Sequence, residues 1–187
     1  MKSKLGRWDQ YYQGWPERKM YADPKTAEMA GEFLRIPEIL DIEDWGCGFG
    51  GFEDYVGEWQ HYIGIDGSKT PYASKIEDLV HYRSTVDAIH LRHVLEHNEE
   101  WKAILNNFLE SFQKRGVLTI FTPMNKGQKK VRVYEDFDGL GRMIDVWFGE
   151  GEIEGLIRQH PNITVEAIYG IESKSQYGAE YMFLLEK

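Results

Sequence analysis

The chain of 187 residues is poor in cysteine and lacks any long hydrophobic run. Its one cysteine, Cys47, excludes an intramolecular disulfide and is typical of a reducing compartment, so we expect a cytoplasmic protein. No apolar stretch approaches the ~20 residues of a membrane-spanning helix. The basic start of the chain is not followed by the apolar segment of a secretory signal. These absences predict a protein that is neither inserted into a membrane nor secreted.

Positive charge is also scarce, with a formal net charge of −9. This balance argues against a general nucleic-acid-binding protein, because neutralisation of phosphates dominates such binding. The contents of 42% hydrophobic and 28% charged residues are those of an ordinary globular protein. We find no internal repeat and no linker rich in proline, glycine or serine, which predicts a single domain. The sequence carries no signal for an oligomeric state.

Glycine is concentrated in one segment, "DIEDWGCGFGG", at residues 41–51. Its pattern has two interpretations. As G-x-G-x-x-G it fits a dinucleotide-binding turn, and as D-x-G-x-G-x-G, starting at Asp44, it fits a different adenosine cofactor. In both, glycines after a strand let the backbone approach a ligand closely, and the helix that follows offers unpaired N–H groups. A tight turn without a ligand is the simpler alternative.

The hydrophobic pattern predicts alternating strands and helices. Apolar segments at 38–42, 61–66, 86–94, 116–123, 162–169 and 179–187 indicate strands, and residues 68–85 remain ambiguous between a short helix and a short strand. Helical spacing occurs at 24–34, with Asp23 as the predicted cap and Pro24 at the first position, and at 52–56, 101–112 and 150–160. This alternation is typical of a parallel sheet with helices on both faces. The last two strands are joined too closely for a crossover, which predicts an antiparallel hairpin.

Two acids help to decide between the cofactors. Asp44 precedes the glycines and would repel the pyrophosphate of a dinucleotide, whereas it would attract the sulfonium and ammonium groups of S-adenosylmethionine. Asp66 ends the second strand about 20 residues further on, where an acid accepts both ribose hydroxyls of an adenosine. If the glycines form only a turn, Asp66 merely caps the next segment.

With these residues, the sequence resembles the class I S-adenosylmethionine-dependent methyltransferases. The similar segments are "EDWGCGFG", "YIGIDGS", "VDAIHLRHVLEH" and "GVLTIFTP", together with the final hairpin. The resemblance implies an α/β fold: a three-layer Rossmann-like sandwich with a mostly parallel sheet of about seven strands. We expect one domain, 1–187, comprising an N-terminal cap segment (1–37), a cofactor-binding core (38–123), a substrate-side insertion (124–148) and a C-terminal helix and hairpin (149–187).

The resemblance also implies a role for individual residues. Asp44 and the glycines would hold the methionine end of the cofactor, Asp66 the ribose, and Arg92 and His93 would flank the methyl group. Asp78 is the candidate near the adenine, although only twenty residues separate Asp66 from Asp87, so the third strand must be short or displaced. The complete cofactor-binding set comprises Tyr12, Asp44, Gly46, Cys47, Gly48, Gly50, Asp66, Gly67, Asp78, Arg92 and His93.

Aromatic residues at the start of the chain have two interpretations. Tyr11, Tyr12 and Tyr21 would cover the sulfonium by cation–π contacts if this segment folds over the cofactor. Alternatively, they form an aromatic patch that docks the first helix on the sheet.

The segment "HVLEH" carries three alternatives. His93 or His97 acts as a general base that removes a hydroxyl proton, a role that suits an unperturbed pKa of about 6.5. His93, Glu96 and His97 share a helical face and bind a divalent metal. In the third alternative the segment only starts a helix, with Glu96 bonded to the backbone and His97 packed. His90, inside the strand, is interpreted as a core histidine.

The insertion at 124–148 follows the fifth strand, and parallel sheets bind ligands at the carboxyl ends of their strands. Its cations Lys129, Lys130 and Arg132 stand among aromatic residues, which suits a sugar or an anionic small molecule; a solvated loop is the alternative. We therefore expect S-adenosylmethionine-dependent methyl transfer to a small-molecule acceptor, at a hydroxyl. The alternatives are a non-catalytic S-adenosylmethionine-binding module that regulates a partner protein and, less favoured because of Asp44, an NAD-dependent oxidoreductase.

Overall fold

The computed structural model describes residues 6, 8–14, 17, 24–127, 129–135 and 142–187. The helices are α1 (Asp9–Gln13), α2 (Lys25–Leu34), α3 (Trp101–Ser111) and α4 (Glu152–Ile157). The strands are β1 (Asp41–Trp45), β2 (His61–Asp66), β3 (Lys75–Ile76), β4 (Val86–Arg92), β5 (Phe112–Ile120), β6 (Lys130–Tyr134), β7 (Met143–Trp147), β8 (Thr164–Glu172) and β9 (Ala179–Glu186). The predicted Asp23 cap of α2 and Tyr21 lie outside the described residues.

Seven of the strands form one sheet in the order β3-β2-β1-β4-β5-β9-β8. The first five are parallel, and β9 pairs antiparallel with both β5 and β8. The fold is therefore the predicted three-layer Rossmann-like sandwich with an antiparallel C-terminal hairpin. Strand order reverses between β1 and β4, and a crevice opens at the carboxyl ends of the strands at such a point.

The central strands β1, β4 and β5 are buried on both faces of the sheet, as their near-continuous apolar sequences require. On one face, α2 packs Ala27, Ala30 and Leu34 against residues of β1, β4 and β9. On the other face, α3 and α4 cover the larger cluster, which includes Trp45, Ile89 and Phe108. The two clusters hold the sheet rigid and fix the positions of its strand ends. No helix among the described residues is long and apolar enough to cross a membrane.

Strand β1 corrects one predicted boundary. It begins at Asp41, three residues later than predicted, and it continues through two acids to Trp45. The strand ends directly before the glycines, as predicted, although charged side chains rarely enter a core unpaired. Both acids have partners: the Trp45 indole Nε1 donates to Glu43 Oε2 at 2.8 Å, and Asp44 is bonded to side chains of β2 and β4.

Two predicted helices are replaced by short 3₁₀ turns. Residues Gly51–Tyr55 form a 3₁₀ turn that begins after Gly50 and ends in extended backbone at Val56. Leu95–His97 form another, and His93 lies outside it with a left-handed φ of 57°. The prediction that His93, Glu96 and His97 share a helical face is therefore wrong. Residues 68–85, all of which are described, contain the two-residue strand β3 and turns.

The insertion contains a β-hairpin that its charged pattern did not predict. Strands β6 and β7 pair antiparallel, with Arg132 opposite Asp145 and Tyr134 opposite Met143. Strand β7 is buried and packs on the 3₁₀ turn at Leu95–His97, whereas β6 is exposed along most of its length. The hairpin thus stands at the carboxyl edge of the sheet, beside the ends of β4 and β5.

Candidate active site

The glycine turn follows directly from β1. Gly46, Gly48 and Gly50 have φ values of +78°, +51° and +68°, which side chains rarely tolerate. A Cβ on Gly46 would lie 2.2 Å from Val94 Cγ2, so this turn and the end of β4 approach each other too closely for a side chain. Gly50 lies behind the turn, where a Cβ would come within 2.7 Å of Tyr72 Cβ.

Asp66 holds the glycine turn from the end of β2. Its Oδ2 accepts a hydrogen bond from Gly48 N at 3.0 Å, and its Oδ1 accepts one from Ser68 N at 2.8 Å. Burial raises the pKa of this carboxyl to about 6, although the two backbone donors oppose the shift. The side chain is therefore both a structural element of the turn and a carboxylate that titrates close to neutral pH.

We expect the affinity for S-adenosylhomocysteine to fall with decreasing pH, because a protonated Asp66 accepts ribose hydroxyls poorly. The loss should reach roughly tenfold per pH unit below the carboxyl's pKa of about 6. Calorimetric titrations between pH 5 and pH 8 would measure it. Asp66→Asn should bind roughly 10- to 100-fold more weakly at pH 8 and lose the pH dependence. An unchanged pH dependence of the affinity in Asp66→Asn would contradict this role. NAD, for which we expect no binding, is the control ligand.

A cavity of about 310 Å³ opens over the ends of β1, β2 and β4. This volume is within the range of small-molecule sites. Ten of the eleven predicted cofactor-binding residues line it: Tyr12, Asp44, Gly46, Cys47, Gly48, Asp66, Gly67, Asp78, Arg92 and His93. The glycine motif and the ends of two neighbouring strands are thus brought together around one space, as the sequence predicts. Their contacts with a cofactor remain predictions.

Asp44 is buried beneath the glycine turn with both oxygens engaged. Its Oδ2 accepts from the Tyr62 hydroxyl at 2.8 Å, and its Oδ1 lies 2.8 Å from His90 Nδ1. The carboxylate therefore supplies negative charge to the cavity through a network that spans three parallel strands.

Helix α1 covers the glycine turn. Gly6 N donates to Gly67 O at 2.8 Å, Trp8 N donates to Ser68 Oγ at 3.0 Å, and Lys69 N donates to Asp9 Oδ1 at 2.6 Å. Tyr12 lies over the turn, since a Cβ on Gly48 would be 3.3 Å from its hydroxyl. Of the leading segment, the described residues Trp8, Tyr11 and Tyr12 line the cavity.

Arg92 and His93 face a buried acid that the sequence analysis did not identify. Arg92 Nη2 donates to both carboxylate oxygens of Glu180 at 3.1 and 3.2 Å, and Thr26 Oγ1 donates to Oε2 at 2.5 Å. His93 Nε2 lies 3.4 Å from the same Oε2. Burial would raise the pKa of Glu180, but the hydrogen bond from His93, the charge of Arg92 and the hydrogen bond from Thr26 lower it to about 2. Burial and Arg92 lower the pKa of His93 to about 4, so we assign a neutral imidazole beside an ionised Glu180.

His97 points into the other side of the cavity and pairs with a second unpredicted acid, Asp145 of β7. Its Nδ1 lies 3.1 Å from the Ile144 carbonyl oxygen and 3.3 Å from Asp145 Oδ1. Asp145 Oδ2 accepts hydrogen bonds from the hydroxyls of Tyr177 at 2.6 Å and Tyr134 at 2.9 Å. The arrangement is a histidine oriented by a carboxylate, which is itself fixed by two phenols.

The predicted metal site is not assembled. Among the described residues, no group of three or more histidine, cysteine, aspartate or glutamate side chains could hold a metal ion. His93 turns toward Glu180 and His97 toward Asp145, while Glu96 Oε1 accepts from Phe121 N at 2.5 Å. Burial raises the pKa of Glu96 to about 7. The three side chains diverge because the segment is not helical, and Glu96 takes the backbone-bonding position of the structural alternative.

Sequence reasoning missed Glu180 and Asp145. Each is a buried acid with apolar or aromatic neighbours in its strand, "AEYMFLLE" and "MIDVW", and a buried charge among such neighbours requires a partner. That signal indicates a buried pair without identifying the partner, because the partner is distant in the sequence.

S-adenosylmethionine fits these residues. Gly46 and Gly48 line the cavity with backbone that carries no side chain, and Asp66 lines it as a hydrogen-bond acceptor for a ribose. Buried Asp44 gives the inner end of the cavity the negative charge that a sulfonium and an ammonium require.

Solved structures share this fold. Magnesium protoporphyrin IX methyltransferase from Synechocystis PCC 6803, with bound S-adenosylmethionine, is 16% identical with a TM-score of 0.63, over 87% of this chain and 78% of that chain. The 1,6-didemethyltoxoflavin-N1-methyltransferase from Burkholderia thailandensis, with S-adenosylhomocysteine, is 15% identical with a TM-score of 0.63, over 88% and 78%. The N-terminal domain of EvdMO1, also with S-adenosylhomocysteine, is 12% identical with a TM-score of 0.62, over 88% and 81%. No curated protein sequence matches the chain.

Family membership comes from the sequence itself. The profile of the methyltransferase-domain family matches residues 15–162, which include the glycine turn, Asp66, the "LEH" segment and the β-hairpin. The chain therefore belongs to this family and is a class I S-adenosylmethionine-dependent methyltransferase.

Proposed function

We propose that the protein transfers the methyl group to a hydroxyl oxygen of a small-molecule acceptor, with His97 as the general base. The observation that carries the proposal is the pairing of His97 Nδ1 with Asp145 and the Ile144 carbonyl at the cavity wall. Because both partners are acceptors, Nδ1 carries the proton and Nε2 presents its lone pair.

The basicity of His97 suits this role. Burial alone would lower the pKa of the imidazole, but Asp145, Glu96 and the Ile144 carbonyl outweigh burial and raise it. The pKa of Asp145 is lowered, because His97 and the two tyrosine hydroxyls oppose the effect of burial. Asp145 is thus held ionised where it stabilises the imidazolium that forms when His97 accepts a proton.

The bound cofactor supplies a methyl group on a positively charged sulfur. The chain's own residues must hold the acceptor oxygen in line with that methyl, about 3 to 3.5 Å away. His97 Nε2 takes the hydroxyl proton as the carbon–oxygen bond forms and the carbon–sulfur bond breaks. The imidazolium is paired with Asp145, and it returns the proton to solvent after the product leaves.

The walls around His97 favour a flat acceptor. The rings of Trp8 and Phe121 lie 5.8 and 5.4 Å from the His97 ring, and Tyr134 and Met143 continue the lining. The hairpin adds positive charge next to the lining residue Tyr134, since the exposed Arg132 guanidinium lies 4.7 Å from the Tyr134 ring. Aromatic surfaces with a nearby guanidinium suit a planar ring that carries an acidic group. The fold neighbours named above support a small-molecule acceptor.

We expect phenols with a carboxylate or phosphate substituent to accept the methyl group, because His97 removes the hydroxyl proton and Arg132 pairs with the acid. The test uses S-adenosylmethionine with an isotopically labelled methyl group and mass spectrometry of the products. Each phenol is paired with the amine that replaces its hydroxyl and with the uncharged amide or ester of its acid. Arg132→Gln should raise KM for the acidic phenols and not for their uncharged counterparts. Equal or faster methylation of the amines would contradict oxygen as the acceptor.

A further inference from the structure

His90 lies in β4, opposite Asp44 of β1 in the strand register. Its Nδ1 is 2.8 Å from Asp44 Oδ1, and its ring stacks on Phe52 with centroids 3.8 Å apart and planes 18° from parallel. The side chain is 2% exposed, so these contacts fix both its position and the direction of its second nitrogen.

That second nitrogen, Nε2, is buried and has no hydrogen-bond partner among the described residues. His90 also lines the cavity beneath the glycine turn. A buried polar atom without a partner is costly, and in a binding site it marks a place where a ligand supplies the missing hydrogen bond. The interpretation of His90 as a satisfied core histidine therefore accounts for only one of its nitrogens.

The neighbours of His90 determine which hydrogen bond is missing. A carboxylate oxygen accepts, so the contact with Asp44 places an imidazole proton on Nδ1, and an imidazole that carries one proton presents a lone pair on Nε2. Tyr62 donates its hydroxyl to the other oxygen of Asp44. Burial and Asp44 raise the pKa of Tyr62, so this phenol stays protonated as a donor. His90, which lines the cavity, thus has an unused hydrogen-bond acceptor backed by a carboxylate, and the complement of that acceptor is a cationic N–H group.

We propose that His90 binds the ammonium group of the cofactor's methionine end through Nε2, with Asp44 supplying the compensating charge. The proposal rests on the use of S-adenosylmethionine by this site. It assigns to a residue inside β4, ahead of the strand end, a direct contact with the ligand. The same contact makes the site selective for ligands that carry the ammonium.

The test separates Nε2 from the rest of the imidazole. In His90→Asn the amide nitrogen takes the place of Nδ1 and keeps the bond to Asp44, but nothing replaces Nε2. His90→Gln reaches the Nε2 position instead. Calorimetry would compare four ligands: S-adenosylhomocysteine, its decarboxylated and deaminated analogues, and methylthioadenosine, which lacks the whole amino-acid end. Tyr62→Phe is the matched control. It also removes a hydrogen bond to Asp44, but Tyr62 is not one of the described residues that line the cavity.

We expect His90→Asn to lower the affinity for S-adenosylhomocysteine and for the decarboxylated analogue by roughly 10- to 100-fold. Its affinities for the deaminated analogue and methylthioadenosine should stay within about threefold of wild type, and His90→Gln should recover part of the loss. The proposal would be overturned if His90→Asn lost affinity equally for all four ligands, or only for the ligands that carry the carboxylate. The same pattern of affinities in Tyr62→Phe would also overturn it. If wild type binds neither S-adenosylhomocysteine nor methylthioadenosine, the cofactor assignment fails as well. If only the effect of His90→Asn is missing, the inference about His90 fails alone.

Discussion

Replacing His97 with glutamine should lower kcat by ~10²- to 10⁴-fold, the usual contribution of a general base. Glutamine fills similar space and still hydrogen-bonds, but it cannot accept the hydroxyl proton in the transition state. The affinity for S-adenosylhomocysteine should remain close to that of wild type, because the predicted ribose and methionine contacts lie on the glycine-turn side of the cavity. Steady-state kinetics with the identified acceptor and calorimetry with S-adenosylhomocysteine would measure the two effects separately.

His61 provides the matched control for this substitution. It also pairs through Nδ1 with an aspartate, Asp41, at 3.2 Å, but the pair is exposed on the surface. His61→Gln should leave kcat unchanged.

Asp145→Asn should lower kcat and shift the acidic limb of its pH profile downward, because the His97 imidazole loses the charge that raises its pKa. A normal kcat in His97→Gln would show that His97 is not the general base.

Replacing Glu180 with alanine should lower the free energy of unfolding by ~3 to 5 kcal/mol, since breaking a buried pair leaves an uncompensated charge. Arg92 would lose the carboxylate that accepts from it at 3.1 and 3.2 Å, and Thr26 would lose its acceptor. Glu186→Ala, on the same strand, is the control, because its carboxylate pairs with Arg115 at 3.5 Å and is 41% exposed. Such a pair contributes about 0 to 1 kcal/mol. Urea unfolding of the three proteins at pH 7 gives the comparison.

Acid titration provides a second measure of the same buried pair. The folded-state pKa of Glu180 is about 2, below the value near 4.5 of an unperturbed glutamate. Its stabilisation is therefore present in full above about pH 4.5 and is lost as the pH falls towards 2. Wild type should lose more stability than Glu180→Ala across this interval. The buried ion pair would be contradicted if the free energy of unfolding had the same pH dependence in both proteins. A loss in Glu180→Ala of less than about 1 kcal/mol at pH 7 would also contradict it.

Most of the sheet could be predicted from local pattern. The strands β2, β4, β8 and β9 and the helices α2 and α3 carry periodic apolar positions, and the short connection before β9 required an antiparallel pair. The 3₁₀ turns at Gly51–Tyr55 and Leu95–His97 were predicted as helices because a few residues at helical spacing do not reveal how soon a helix ends. The left-handed backbone of His93 is set by its surroundings, and no local propensity indicates it.

The candidate site also has a part that the sequence pattern predicts and a part that it does not. Asp44, the glycines and Asp66 are close in sequence and belong to one recognisable pattern, so their convergence was predictable. The orientations of Arg92, His93 and His97 were not, because they depend on Glu180 and Asp145, which reach them only through the tertiary fold. A motif therefore identified which side chains surround the cavity, while the direction in which each points is determined by long-range ion pairs.

The division of the His97–Asp145 pair between two elements constrains how this enzyme can change its acceptor. The histidine belongs to the sheet scaffold, while its carboxylate is delivered by β7 of the hairpin, opposite Arg132. Exchanging the hairpin for one from another methyltransferase would replace the proposed acceptor walls and the carboxylate partner of the proposed general base together. A chimera designed for a new acceptor would have to keep an acid at that place in the strand register, because a shift of one residue would turn the carboxylate to the opposite face of the hairpin.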